Sequence, residues 1–179
     1  MKRFEKMRKE KHAEIVEKIE NPELEKELPN PEITAIFHGS EVHDYKGKSF
    51  VQAPGYLKHE TKALSCFIPK KWIHSYNGHS KAVQVVRFIK PYGHLALSAS
   101  HDTKLKLWDV LTNRRCVMTY VGHEAPIRDI CFNYNGTRFL SASFDRLIHL
   151  WDTETGKVIK TLSNKKIPYC VLFHPDKDK

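Results

Sequence analysis

His79, Ser98 and Asp102 bring together the three side-chain types of a serine hydrolase within one short stretch. A histidine held by a carboxylate can take the proton of a serine hydroxyl, which then attacks an acyl carbon. The same set recurs as His123, Ser141 and Asp145. Three features argue against acyl transfer. Catalysis needs such a set once, and here it occurs twice in the same order. Each set continues, six residues after its aspartate, to a tryptophan, Trp108 or Trp151, whose indole N–H can only donate. Neither serine lies in the Gly-x-Ser-x-Gly turn that exposes a nucleophile. A hydrogen-bonded chain from Trp N–H through Ser hydroxyl and His to Asp is the more economical use of these residues. Each such bond contributes about 0.5–1.5 kcal/mol, and breaking one leaves a buried partner unsatisfied at a cost of about 1–3 kcal/mol. Ser100 and Ser143 share the strand face of Ser98 and Ser141; the earlier pair is the expected participant.

The other reactive side chains form no site. The 11 histidines show no HExxH or other ligand spacing, so no metal and no cofactor is expected. The four cysteines, Cys66, Cys116, Cys131 and Cys170, make no CxxC pair. They read as reduced thiols, with Cys131 and Cys170 in strand patterns as small buried hydrophobes. No signal peptide and no run long enough to span a bilayer is present.

The two sets belong to a repeat. Gly78-His79 is echoed by Gly122-His123, Leu97-Ser98-Ala99-Ser100 by Leu140-Ser141-Ala142-Ser143, and Leu107-Trp108-Asp109 by Leu150-Trp151-Asp152, at an offset of 43–44 residues. That period, with Gly-His at one end and Trp-Asp at the other, marks blades of a WD-repeat β-propeller, an all-β fold. Strands are expected at Lys71–Tyr76, Val83–Phe88, Leu95–Ala99, Leu105–Trp108 and Cys116–Tyr120. The next blade supplies Ile127–Phe132, Phe139–Ser141, Leu147–Trp151 and Val158–Leu162, with Asn135-Gly136 as a hairpin turn. A last strand is expected at Tyr169–Phe173. A ring of about 4 blades at roughly 40–45 residues each needs at least about 160 residues of repeat. The repeats here begin near Trp72 and fill 108 positions of the 179. The chain therefore reads as two blades and part of a third, a portion of a propeller.

Three parts are expected. Residues 1–30 are densely charged and helical in pattern, with Glu5/Lys9 and Glu14/Lys18 in the favourable order; they read as a solvated helix or one that meets a partner. Residues 31–71 carry several prolines and recurrent aromatics, including Phe37, Tyr45 and Phe50. They read as an extended arm lying on another surface, or as a connector. Residues 72–179 form the propeller portion. The net charge is +9; residues 1–30 balance at 8 basic and 8 acidic side chains, so the surplus lies in residues 31–179, with 22 against 13. A basic surface suits acidic protein or RNA, and is also what a lysine-rich soluble surface looks like.

As a WD-repeat chain, this one resembles a family known for the Trp-Ser-His-Asp tetrad. Its partners usually dock on the face carrying the loops between outer and inner strands and between the second and third strands. That places Lys81, His101, Arg128 and Phe144 as candidate binding residues. Phe144 is either a staple for the neighbouring blade or a contact anchor.

Finer details resemble the pre-mRNA-processing factor 17 family. They are Ile68-Pro69-Lys70-Lys71 with Ile73-His74 at the entry to the first blade, Arg114-Arg115-Cys116, and Ser163-Asn164-Lys165-Lys166-Ile167-Pro168-Tyr169-Cys170, where Asn164 takes the place of the tetrad histidine. Phe37-His38-Gly39 and Asp44 through Phe50 are similar to the segment before that family's propeller. The resemblance covers residues 33–179. It implies a non-catalytic, nuclear spliceosomal scaffold acting around the second transesterification step, with spliceosomal proteins as partners. Contact with small nuclear RNA or pre-mRNA would occur inside the assembly, and no membrane or small-molecule substrate is implied. Phe37, Tyr45 and Phe50 would then belong to an arm laid on neighbouring proteins. The alternatives are another WD-repeat adaptor, such as a ubiquitin-ligase substrate receptor, and a propeller that binds RNA directly.

Overall fold

Alternation of apolar and polar residues, broken by turn signals every few positions, builds two antiparallel sheets in the computed structural model. The structure describes residues 33–39, 41–43, 47–58, 68, 70–163 and 165–174. The described residues all fall in one compact unit, Pro31–Lys179. The helix expected over residues 1–30 lies outside the described residues, as do Tyr45, Cys66 and Asn164.

The first sheet runs in the order β1-β5-β4-β3-β2, with β1 Thr34–Phe37, β2 Val83–Phe88, β3 Leu95–Ser100, β4 Lys104–Asp109 and β5 Cys116–Val121. The second runs β6-β7-β8-β9: Ile127–Phe132, Arg138–Ser143, Leu147–Asp152 and Val158–Ser163. Each sheet is one blade. Strand alternation gives the first sheet an apolar face of Leu95, Leu97, Leu105, Leu107, Met118 and Tyr120, all buried. It meets the second sheet's Ile127, Ile130, Phe139 and Trp151 in a single core. Tyr120 sits at the junction. Its ring lies 4.9 Å from Phe139 and 5.7 Å from Trp151, and its hydroxyl donates to the carbonyl of Thr153 at 2.8 Å. That single bond ties an outer strand of one blade to a turn of the next.

The opposite face of the first blade is open. Val83, Val86 and Phe88 are 46%, 46% and 58% exposed, whereas the counterparts of the two valines one repeat later, Ile127 and Ile130, are buried under the first blade. With Tyr76 and Trp108 these side chains line an apolar groove of about 320 Å³. The repeat itself explains the groove, because the same surface on the second blade is where a preceding blade packs.

Within residues 31–71 the described segments lie on the first blade. Thr34–Phe37 pairs in register with β5, Ala35 opposite Tyr120 and Phe37 opposite Met118, and so completes an edge whose backbone groups would otherwise be unpaired. Phe37 and Phe50 face each other at 5.6 Å and pack on the blade core, and Val51 is buried in it. The segments at Lys71–Tyr76 and Tyr169–Phe173 are not strands. By repeat position they are the outer strand of a preceding blade and the inner strand of a following one, and among the described residues neither has a strand to pair with. Cys170 is exposed, because the strand pattern around it has no sheet to bury it, and Cys131, on β6, is only half-buried.

Candidate functional site

Each tetrad closes as a continuous chain of hydrogen bonds. In the first blade Trp108 Nε1–H donates to Ser98 Oγ at 2.8 Å, Ser98 Oγ lies 2.7 Å from His79 Nε2, and His79 Nδ1 lies 2.8 Å from Asp102 Oδ2. In the second the distances are 2.8 Å from Trp151 to Ser141, 2.7 Å from Ser141 to His123, and 2.7 Å from His123 to Asp145. One proton assignment satisfies every member: Ser accepts from the indole and donates to Nε2, and Nδ1–H donates to the carboxylate. The register explains the meeting. β3 and β4 place Ala96 opposite Trp108 and Ser98 opposite Lys106, so Ser98 and Trp108 share a face across neighbouring strands. The aspartate caps the β3–β4 turn, accepting from the N–H groups of Ser80 and Lys104 at 3.1 and 3.0 Å, which brings the turn to the histidine of the loop before β2.

Ser100 and Ser143 have another task. Ser100 Oγ donates to the carbonyls of Lys81 and Ala82 at 3.1 and 2.9 Å, and Ser143 Oγ to those of Ala125 and Pro126, both at 3.0 Å. They fix the loop that enters the inner strand. Lys81 contributes its carbonyl there while its side chain is exposed.

The electrostatics follow from this bonding. Burial alone would raise the Asp102 carboxyl. The His79 N–H and the backbone N–H groups of Lys104 and Ser80 outweigh it and hold the carboxyl below its usual value of 3.8. Asp145 is likewise pushed up by burial and pulled further down by His123 and the Leu147 N–H. Beside the second tetrad, and missed by sequence reasoning, is His149. It is buried on the tetrad face of β8, its Nδ1 2.9 Å from Thr161 Oγ1 and its ring 4.4 Å from that of His123. Burial, reinforced by His123, pushes its pKa down to about 4. Its counterpart in the first repeat is Lys106, which donates to Thr119 at 2.9 Å. No residue type at that position repeats, so the sequence carried no signal.

The geometry of Ser, His and Asp is that of a hydrolase triad, yet each serine oxygen is buried and already accepts an indole N–H. A nucleophile needs a free approach to its oxygen and donors aimed at a developing oxyanion. Here the donor is aimed at the serine itself.

A second cluster lies at the β3–β4 and β7–β8 turns. His101 Nε2–H donates to Gln84 Oε1 at 3.0 Å. One repeat later Phe144 stands beside Arg128, whose guanidinium carbon is 5.3 Å from the ring centre. Tyr169 adds a second ring at 4.1 Å. The structure thus brings Arg128 and Phe144 together, sets His101 one blade away, and leaves Phe37 and Phe50 packed inward. Gln84 and Tyr169 were missed; Tyr169 falls 41 positions after Arg128, as Arg128 falls 44 after Gln84, which was the available signal. The two blades are further joined by Asp129, which accepts from Arg87 at 3.4 Å and from the Val171 N–H at 3.1 Å.

Residues 70–109 and 114–152 match the model of the WD domain, G-beta repeat. Over 148 residues the chain is 49% identical to pre-mRNA-processing factor 17 of Homo sapiens, a match covering 80% of this chain and 26% of the relative. It is 36% identical to pre-mRNA-processing factor 17 of Saccharomyces cerevisiae over 143 residues, 78% of this chain and 31% of the relative. WD repeat-containing protein 25 of Mus musculus is 31% identical over 110 residues, 60% of this chain and 21% of the relative. The chain thus spans 26% and 31% of the length of the two processing factors. The chain carries two WD repeats, folded as two all-β blades, and is similar over most of its length to pre-mRNA-processing factor 17.

Proposed function

We propose that this chain is part of a non-catalytic scaffold of the spliceosome, working in the nucleus around the second transesterification step of pre-mRNA splicing. The similarity over 148 residues at 49% identity carries this reading, because it runs beyond the generic repeat into the segment before the first blade. The geometry supports the non-catalytic part. Both Ser-His-Asp sets are consumed in joining turns to strands, which leaves loops and surface for holding partners. Spliceosomal proteins are the proposed partners, with RNA met inside the assembly.

The test is co-purification of the full-length tagged protein from nuclear extract, probing for spliceosomal small nuclear RNAs at moderate and high salt. Enrichment that survives high salt is expected for protein-mediated membership. Enrichment that vanishes at high salt points to direct RNA binding through phosphates, whose affinity falls steeply with salt. Absence at both salts contradicts the scaffold reading.

A further inference from the structure

We propose that Arg128, with Phe144 and Tyr169 packed against it, is a receptor for a carboxylate side chain in an acidic segment of a partner protein. The inference rests on the scaffold reading and names the chemistry of one of its contacts.

The first blade supplies an internal comparison. At the equivalent place Gln84 and His101 bond to each other at 3.0 Å, so a neutral pair is closed on itself. One repeat later the pair is a cation and a hydrocarbon ring. Phe144 cannot accept a conventional hydrogen bond, and the faces of Phe144 and Tyr169 attract the positive charge without engaging its N–H donors. Among the described residues no carboxylate lies within ion-pair distance of Arg128, whereas Arg87, on the inner strand of the first blade, is paired with Asp129. Arg128 is also half-buried, so its charge is less screened than that of a free surface arginine.

A guanidinium held against rings keeps a defined plane, and loses little rotamer freedom when it binds. Its fork matches a carboxylate with two parallel N–H···O bonds. A nucleic-acid backbone calls for a track of cations spaced along successive phosphates. The cluster offers one fork between apolar walls, which suits an acidic residue flanked by apolar neighbours in a peptide.

The experiment uses the full-length protein and a fluorescein-labelled peptide of alternating Glu and Leu, followed by fluorescence polarisation. Binding is expected. Arg128→Lys keeps the charge and loses the fork, and weakens binding by about tenfold or more. Tyr169→Leu weakens it, and Tyr169→Phe, which keeps the ring, restores it. No binding of the peptide overturns the proposal, as does equal affinity for wild type and Arg128→Lys. A uridine oligonucleotide that binds more tightly than the peptide and depends on Arg128 reassigns the site to RNA and overturns it as well. The same variants are carried through the small nuclear RNA co-purification. RNA recovered with wild type, but no peptide binding, sinks this inference alone; no RNA with wild type sinks the scaffold reading whatever the peptide does.

Discussion

Trp151 donates its indole N–H to Ser141 at 2.8 Å with both residues fully buried between the two blades, while the matching pair, Trp108 and Ser98, has the same bond length beside an open groove. Equal bonds in unequal surroundings have unequal worth. A donor left unsatisfied where water cannot reach it costs more than one that water can rescue.

Ser141→Ala is therefore expected to destabilise the protein by about 1–3 kcal/mol, and Ser98→Ala by less. Urea denaturation of both variants checks the order. A larger loss for Ser98→Ala would mean that the groove is filled in the full-length protein.

The pH dependence follows from His149 and the two aspartates. His149 titrates at about 4 when folded and near 6.5 when unfolded. Its folded value is depressed, so its contribution is complete above 6.5 and is lost as pH falls from 6.5 towards 4. The loss is on the order of 3 kcal/mol. Asp102 and Asp145 are held below 3.8, so their contribution persists to lower pH and goes below 3.8. Thermal melts between pH 7 and pH 3 should show two successive losses, and His149→Leu should flatten the first only.

β1 behaves as a strap across the two blades. It pairs with β5 of the first, and Ala35 lies against Gly156 in a turn of the second, where a Cβ would overlap that of Ala35. Gly156 also has φ +69°, a conformation that disfavours side chains. Gly156→Ala should cost about 2 kcal/mol or more from backbone strain and overlap together. Hydrogen exchange should show faster exchange of the β1 amides. Unchanged exchange in β1 would separate the strap from the turn.

Asp129 bridges three segments, and its two partners differ. Arg87 is 54% exposed, so Arg87→Ala should cost less than about 1 kcal/mol. Asp129→Ala also strands the Val171 N–H and should cost about 1–3 kcal/mol. Equal effects would show that the ion pair alone matters.

What could be read from the sequence was what repeats. Trp108 and Trp151, with their serines, histidines and aspartates, recur at fixed spacing because each blade solves the same problem of tying a loop to a sheet. His149 and Tyr169 escaped because they stand where the repeat varies. β1 escaped for a different reason. Thr34–Phe37 is too short to show a period, and its strand form depends on the edge that β5 offers, which is a tertiary fact. The segments at Lys71–Tyr76 and Tyr169–Phe173 show the converse: a strand pattern without a neighbouring strand does not make a sheet.

The central claim is that both Ser-His-Asp sets are joints between loop and sheet and not nucleophilic sites. Labelling of the native full-length protein with a fluorophosphonate probe, read by mass spectrometry at Ser98 and Ser141, tests it directly. The account predicts no adduct at either serine under native conditions. A stoichiometric adduct at either one, blocked by mutating its histidine partner, would contradict it.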